Sequence, residues 1–319
     1  MNKRRIRLLY FLRWVVTHKY VKLLYTISLM FLFLCICSAN WNKPNTTPIQ
    51  QKDSVSVDCF WNTYDFTDTV RWANKSVATE RMLVDYLSRL SGLTENKACE
   101  SLRKLVLKTK VNDRVNHWFL RQIERHLYEP DSPLRNDNYY ISVLEEALAS
   151  GSLNGMMRVR PLYQLKMLKK NRAGTKAADF DFILPTGEFQ NLWDIPAKYT
   201  LLLFYDPDCM HCRKSIQELS ESSIINACLP HNGLALPQLA LITICTEGDM
   251  GIWKEYQQSF PSAWVNGYDA RKVLVEKELY SLRSLPSIYL LDEDKLVLLK
   301  EPSSISEVIN YLLNEYDSI

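Results

Sequence analysis

The stretch Phe204-Tyr-Asp-Pro-Asp-Cys209-Met-His-Cys212-Arg-Lys-Ser-Ile-Gln-Glu-Leu follows the apolar run Thr200-Leu-Leu-Leu. An apolar strand, a turn carrying Pro207 and a pair of cysteines opening an amphipathic helix together require an α/β framework, because the helix must fold back over the strand it leaves. The placement suits redox chemistry. A sulfur at a helix start meets unpaired N–H groups and the positive end of the helix dipole, which stabilise a thiolate on Cys209. Cys212 lies one turn along on the same face, about 5–6 Å away, within reach of a disulfide. So short a closed loop contributes little chain entropy to keeping that bond, which can therefore cycle. His211 brings positive charge beside the sulfurs and favours a more oxidising disulfide, whereas Asp206 and Asp208 oppose a neighbouring thiolate.

Other apolar runs extend the same pattern towards the C-terminus. Phe180-Asp-Phe-Ile-Leu precedes the turn Pro185-Thr-Gly, and Leu239-Ala-Leu-Ile-Thr-Ile-Cys, Ser287-Ile-Tyr-Leu-Leu-Asp and Leu296-Val-Leu-Leu-Lys follow the cysteine motif. Helical stretches at about 210–228, 250–259, 270–280 and 303–316 separate them. Residues 55–172 read differently. Val77, Leu83, Val84, Leu87 and Leu90 make one expected buried stripe, and Leu102, Leu105 and Val106 a second. Trp118, Phe119, Ile123 and Leu127, then Tyr140, Val143, Leu144, Ala147 and Leu148, then the run from Pro161, continue it. The periodicity predicts four to six packed helices, ending near Asn171 where it stops.

The charge balance becomes informative once it is located. The formal net charge is +3, but residues 1–39 hold seven basic residues and no acid, so the remainder carries 32 basic against 36 acidic residues. That balance offers no basic face for nucleic acid. Leu23 to Ala39 is a charge-free run of 17 residues, about 26 Å as a helix and marginal for a bilayer core of about 30 Å. Behind a basic leader it reads as a signal peptide or an uncleaved membrane anchor, and either places the rest outside the cytoplasmic membrane. Cys37-Ser38-Ala39 offers small residues for a signal-peptidase cut; lipidation of Cys37 fits less well, because Ile36 stands where a small residue is needed. Residues 40–54, polar with two prolines, read as a tether. The expected organisation is thus 1–39 signal or anchor, 40–54 linker, 55–172 helical domain and 175–319 α/β domain.

The α/β region resembles the thioredoxin superfamily, and within it the TlpA/ResA-like exported thiol-disulfide oxidoreductases. The resemblance stands on Cys209-Met-His-Cys212, on Ala178-Asp-Phe with Pro185-Thr-Gly and Leu192-Trp-Asp, and on Ser284-Leu-Pro286-Ser-Ile-Tyr-Leu-Leu-Asp. It covers about 175–319. With the helical region in front, Trp264-Val-Asn-Gly-Tyr-Asp and Tyr280-Ser-Leu-Arg extend it to Bacteroides-type exported thioredoxin-like proteins. The resemblance implies a thioredoxin-like fold and a cis-proline at Pro286 facing the cysteines. It also implies that the backbone of Leu285 pairs with the extended chain of a substrate. Cys209 and Cys212 would then be catalytic, with His211, Asp208, Leu285 and Pro286 tuning the redox pair or binding substrate. Such an enzyme takes protein dithiol or disulfide substrates and a membrane or periplasmic redox partner, and needs no metal or organic cofactor. Two departures stand out. Asp208 replaces the aromatic residue before the first cysteine, and Leu203 replaces the buried acid that accepts the second thiol's proton.

Other readings compete with a cycling disulfide. Cys209-x2-Cys212-x15-Cys228-x2-His231 has zinc-ribbon-like spacing, yet one helix from Cys212 to Cys228 would separate them by about 24 Å, beyond a shared metal. A peroxidase of the peroxiredoxin type wants Thr where Asp206 stands. A second function class is an envelope binding module that uses the fold as scaffold and recognises a protein or a soft metal. Cys228 and Cys245 read as core thiols, Cys59 and Cys99 as a pair whose separation the sequence leaves open, and Trp61, Tyr64 and Phe66 as helical-domain core.

Overall fold

The computed structural model describes residues 57, 59–68, 76–230 and 237–316. The expected signal or anchor, the whole tether and His231 lie outside them. Among the described residues no helix is long and apolar enough to cross a membrane.

Among the described residues the first part holds five α-helices with these bounds: α1 (Ser76–Arg89), α2 (Glu95–Thr109), α3 (Asp113–Leu127), α4 (Asp137–Ala149) and α5 (Val159–Leu168). Asn112 and Asn136 cap α3 and α4, their side chains accepting from the orphan N–H groups of the first turn. The faces that meet carry Leu83, Tyr86, Leu87, Leu102, Phe119, Ile123, Val143 and Leu144, all buried in one cluster. Trp61 and Phe66 are buried in that cluster, Trp61 edge-on to Phe119 and Tyr86 and Phe66 tilted against Phe119, so these rings are core. The expected stripe of α1 needs one correction. Val77 is 63 % exposed, whereas Thr79, Leu83, Tyr86, Leu87 and Leu90 are buried. Steps of four, three, one and three keep one side of the helix inward, and Val77 falls outside that arc.

The second part is a seven-stranded mixed sheet of β1 (Asp181–Ile183), β2 (Phe189–Asn191), β3 (Tyr199–Tyr205), β4 (Leu239–Cys245), β5 (Val265–Tyr268), β6 (Ser287–Leu291) and β7 (Val297–Lys300). Their order is β2-β1-β5-β4-β3-β6-β7. β3, β4 and β5 run parallel, with Tyr205 opposite Cys245, and β6 is antiparallel to β3, with Phe204 opposite Ser287. Alternation divides the core. Leu201, Leu203, Tyr205, Leu241, Ile288 and Leu290 face α6 (Met210–Glu221), α7 (Ser223–Cys228), α8 (Met250–Tyr256) and α10 (Ile305–Tyr316). Leu202, Phe204, Ile242, Ile244, Tyr289 and Leu291 face Phe180, Phe182, Tyr280 and the short α9 (Val273–Glu276).

Three local features depart from the sequence expectation. The stretch 210–228 is two helices, because Ser222 is extended (φ −71°, ψ 113°) and its side chain caps α7 by accepting from Ile225 N–H. The single rod separating Cys212 from Cys228 is therefore broken, and Cys228 is half-buried where a core thiol was expected. The stretch 270–280 holds only α9. Strands β2 and β5 escaped the pattern because they are three and four residues long, and β5 contains Asn266 and Gly267. Gly267 is demanded by packing: a Cβ there would lie 2.3 Å from Phe182 Cδ2 and 2.7 Å from Ile244 Cδ1.

The helical part and the sheet belong to one compact unit, Ser54–Ile319. Buried charge ties them together. Arg283, just after the last turn before β6, bonds Asp137 of α4 at 2.7 Å and Glu301 at 2.8 Å. Lys300 reaches the carbonyls of Leu168 and Lys170 at 3.1 Å, and Lys166 pairs with Glu278.

Candidate active site

β3 ends at Tyr205 in the centre of the sheet, and the turn over Asp206-Pro-Asp delivers Cys209 to the start of α6. An Asx turn shapes that delivery: the Asp206 carboxylate accepts the Asp208 N–H at 2.9 Å, and the Asp206 carbonyl accepts the Cys209 N–H at 3.1 Å. Cys209 is itself the N-cap. Its sulfur accepts the Cys212 N–H at 3.2 Å, as an N-cap oxygen would. The same sulfur donates its thiol hydrogen to the Leu285 carbonyl at 3.4 Å. The Leu285–Pro286 peptide is cis. The two segments that the resemblance pointed to, 209–212 and 284–286, thus meet at one sulfur.

The two cysteines are unlike. Cys209 is partly exposed; Cys212 is fully buried on the inner face of α6 beside Ile216 and Leu219. Burial first, and then the contact with Cys209, push the Cys212 thiol far above the ordinary cysteine range, so it is protonated at neutral pH. The charge of Asp206 acts in the same direction. Leu203, in the place of the usual buried acid, is fully buried in apolar surroundings and supplies no proton acceptor.

Of the other expected site residues, His211 is exposed and lines the same cavity as Leu285 and Pro286. Asp208 is exposed at the turn, and its carbonyl accepts from Arg213 at 3.2 Å. Cys245 is a buried thiol whose sulfur donates to the Glu247 carbonyl at 3.0 Å, and burial pushes it up to about 12. Cys59 and Cys99 are separate free thiols. Among the described residues no cluster of His, Cys, Asp and Glu could hold a metal.

The cavity lined by Leu285, whose carbonyl accepts from Cys209, has a volume of about 1080 Å³, and part of its lining comes from a place the sequence did not flag. Pro130, Asp131, Pro133 and Arg135, in the turn between α3 and α4, stand across from His211 and the 284–286 segment. Arg283 was visible only as part of Tyr280-Ser-Leu-Arg. Its partners lie 146 residues earlier and 18 later, distances at which no sequence pattern pairs charges. The one local hint was Asn136-Asp137, a helix-start signature directly after the turn that forms the wall.

A family model described as a domain of unknown function, DUF5106, matches residues 46–171, which contain the helical part. No curated protein matches the chain. A thioredoxin-like protein from Bacteroides caccae is 32% identical, with a TM-score of 0.79, over 85% of this chain and 96% of that one. The C-terminal domain of an uncharacterized Bacteroides fragilis protein is 38% identical over 45% of this chain and 98% of that one, with a TM-score of 0.41. The thioredoxin domain of a Bacteroides vulgatus thiol-disulfide oxidoreductase is 21% identical over 45% of this chain and 96% of that one, with a TM-score of 0.36. With the five-helix part in front, the mixed sheet behind and Cys209 under a cis-proline, the chain belongs to the thioredoxin-like family of Bacteroides type represented by the Bacteroides caccae protein.

Proposed function

We propose that the protein is a thiol-disulfide oxidoreductase that exchanges disulfides with protein partners through Cys209 and Cys212. The observation that carries this reading is the asymmetry of the pair: an accessible sulfur capping a helix under the cis-Pro286 loop, and a buried protonated thiol one turn behind it.

In the reductive direction the Cys209 thiolate attacks a partner disulfide. The partner S–S bond breaks, one partner sulfur leaves as a thiolate, and a mixed disulfide forms. Cys212 then gives up its proton and attacks the Cys209 sulfur, expelling the second partner sulfur. The partner gains two electrons and two protons, and Cys209–Cys212 is left as a disulfide. Another dithiol protein, in the membrane or the periplasm, returns the two electrons; run backwards, the same steps oxidise a partner. Cys212 starts protonated because burial and the contact with Cys209 disfavour its thiolate, and it gives up that proton in the resolving step. His211 and Asp208 set the charge around Cys209, and Leu285 with Pro286 aligns the partner chain. The basic leader and the apolar run 23–39 support work in the periplasm or cell envelope, either released there or held to the inner membrane facing outward.

The test is a Cys212→Ser chain expressed in its native envelope, where the resolving step is blocked. Mixed disulfides through Cys209 accumulate if the reading is right. A second measurement, the reduction potential of the pair against a glutathione series, fixes the direction: about −120 to −180 mV marks an oxidant or isomerase, and about −270 mV a reductant. A bond that no dithiol reduces refutes the enzyme and leaves the binding module.

A further inference from the structure

The wall facing the cis-Pro286 loop belongs to the helical part, and three bonded contacts hold it in place. Arg283, two residues before Leu285, bonds Asp137 at 2.7 Å and Glu301 at 2.8 and 3.2 Å, and gives its remaining nitrogen to the Tyr128 carbonyl at 3.3 Å. Its guanidinium lies 4.6 Å over the Tyr128 ring. Arg135 bonds the Glu301 carbonyl at 2.6 Å, and Arg172 bonds Asn138 at 2.8 Å. Arg283 therefore holds the turn near both of its ends, at Tyr128 and at Asp137, beside the cis-proline segment.

The lining also says what the cavity is for. Pockets that take drug-sized molecules are mostly apolar and of about 300–1,000 Å³. This one, at about 1080 Å³, is rimmed by Asp131, Arg135, Asn136, Arg172, His211 and Glu307, and two of its wall residues, Asp131 and Pro133, project exposed into it. An extended chain advances about 3.3 Å per residue, so a segment pairing with Leu285 runs past this wall within a few residues. A small disulfide that reaches only Cys209 does not touch it.

Resting on the oxidoreductase reading above, we propose that the turn 130–136 of the helical part is the substrate-selecting wall of the groove, and that it receives an extended, polar polypeptide segment flanking the partner's cysteine. Arg283, which lines the same cavity, is a positioning residue: its bonds to Tyr128 and Asp137 hold this wall beside the cis-proline loop.

The experiment compares two probes, insulin and 2-hydroxyethyl disulfide, on the full chain and on Asp131→Arg/Pro133→Trp, which crowds the groove and leaves both cysteines and the Arg283 network intact. The expected result is a fall of at least about 10-fold in kcat/KM for insulin, with the small disulfide and the reduction potential unchanged. Unchanged insulin turnover overturns the proposal, as does an equal fall on both probes, which would mean that the site itself was distorted. Wild-type activity on the small disulfide with none on insulin removes the polypeptide substrate but leaves the redox reading. Wild-type inertness towards both removes the redox reading and this one with it. Should the double variant fail to fold, Asp131→Arg alone, at an exposed turn, carries the same comparison.

Discussion

Replacing Arg283 with Met tests how the two parts are held together. The guanidinium is 9 % exposed, Glu301 is 7 % and Asp137 24 %, so the pair exchanges little of its charge with water. Removing one partner of a buried ion pair costs about 3–5 kcal/mol, because the surviving charge is left in a poor solvent. Here both survivors keep a second cation: Glu301 keeps Arg135 at 3.4 Å, and Asp137 keeps Lys300 at 3.5 Å. That places the loss near the lower end, about 3 kcal/mol. For a domain of this size each kcal/mol moves the thermal midpoint by about 2–4 °C, so the expected drop is about 6–12 °C. Urea titration and thermal unfolding followed by circular dichroism measure it. Because the network is buried, the difference persists at about 1 M salt, where surface pairs are screened within about 3 Å. Arg283→Met/Glu301→Leu should recover part of the loss, since it removes one of the two stranded carboxylates, while Arg135 keeps its bond to the residue 301 carbonyl and Asp137 keeps Lys300. A loss under about 1 kcal/mol, or no recovery in the double variant, refutes the idea of a buried ionic clamp.

Two further outcomes follow from the same packing. The Asp206 charge raises the Cys212 thiol's pKa, so Asp206→Asn, which keeps an acceptor for the Asp208 N–H, should increase the thiolate fraction of Cys212. Closure of a preformed Cys209–thionitrobenzoate mixed disulfide then accelerates modestly, by about 2-fold at a fixed pH below the titration, since the Asp206 charge is the least of the causes that act on Cys212; slower closure would show that Asp206 takes the Cys212 proton. Gly267→Ala puts a Cβ into Phe182 and Ile244, both fully buried, and should cost about 1–3 kcal/mol as a fall in urea midpoint at constant m; a change under about 0.5 kcal/mol would mean that β5 shifts freely.

Much of the site was legible in the order of residues, because it is local. A strand, a turn and a helix start lie within twenty residues, and backbone periodicity together with helix-end electrostatics is enough to put Cys209 at the cap and Cys212 a turn behind it. The cis-proline segment 284–286 is distant in sequence but carried its own mark, a Pro before an apolar strand. The helices of the first part were readable from their stripes, and the exception, Val77, shows how one apolar residue outside the arc misleads a pattern that Tyr86 completes from inside it. Strands β2 and β5 were too short for alternation to register, and the helix break at Ser222 depends on one extended residue whose side chain caps the next turn.

The sequence by itself determined the fold class, the place of the Cys209 and Cys212 pair at a helix start and the segment that faces it, since each rests on neighbours along the chain. Tertiary structure alone decided how far Cys212 is desolvated, that Leu203 leaves its proton without a buried acid, and that the turn after α3 walls the groove. Those depend on burial and on charges brought together across more than a hundred residues, from Asp137 to Arg283, and pairwise electrostatics of that kind has no period to read.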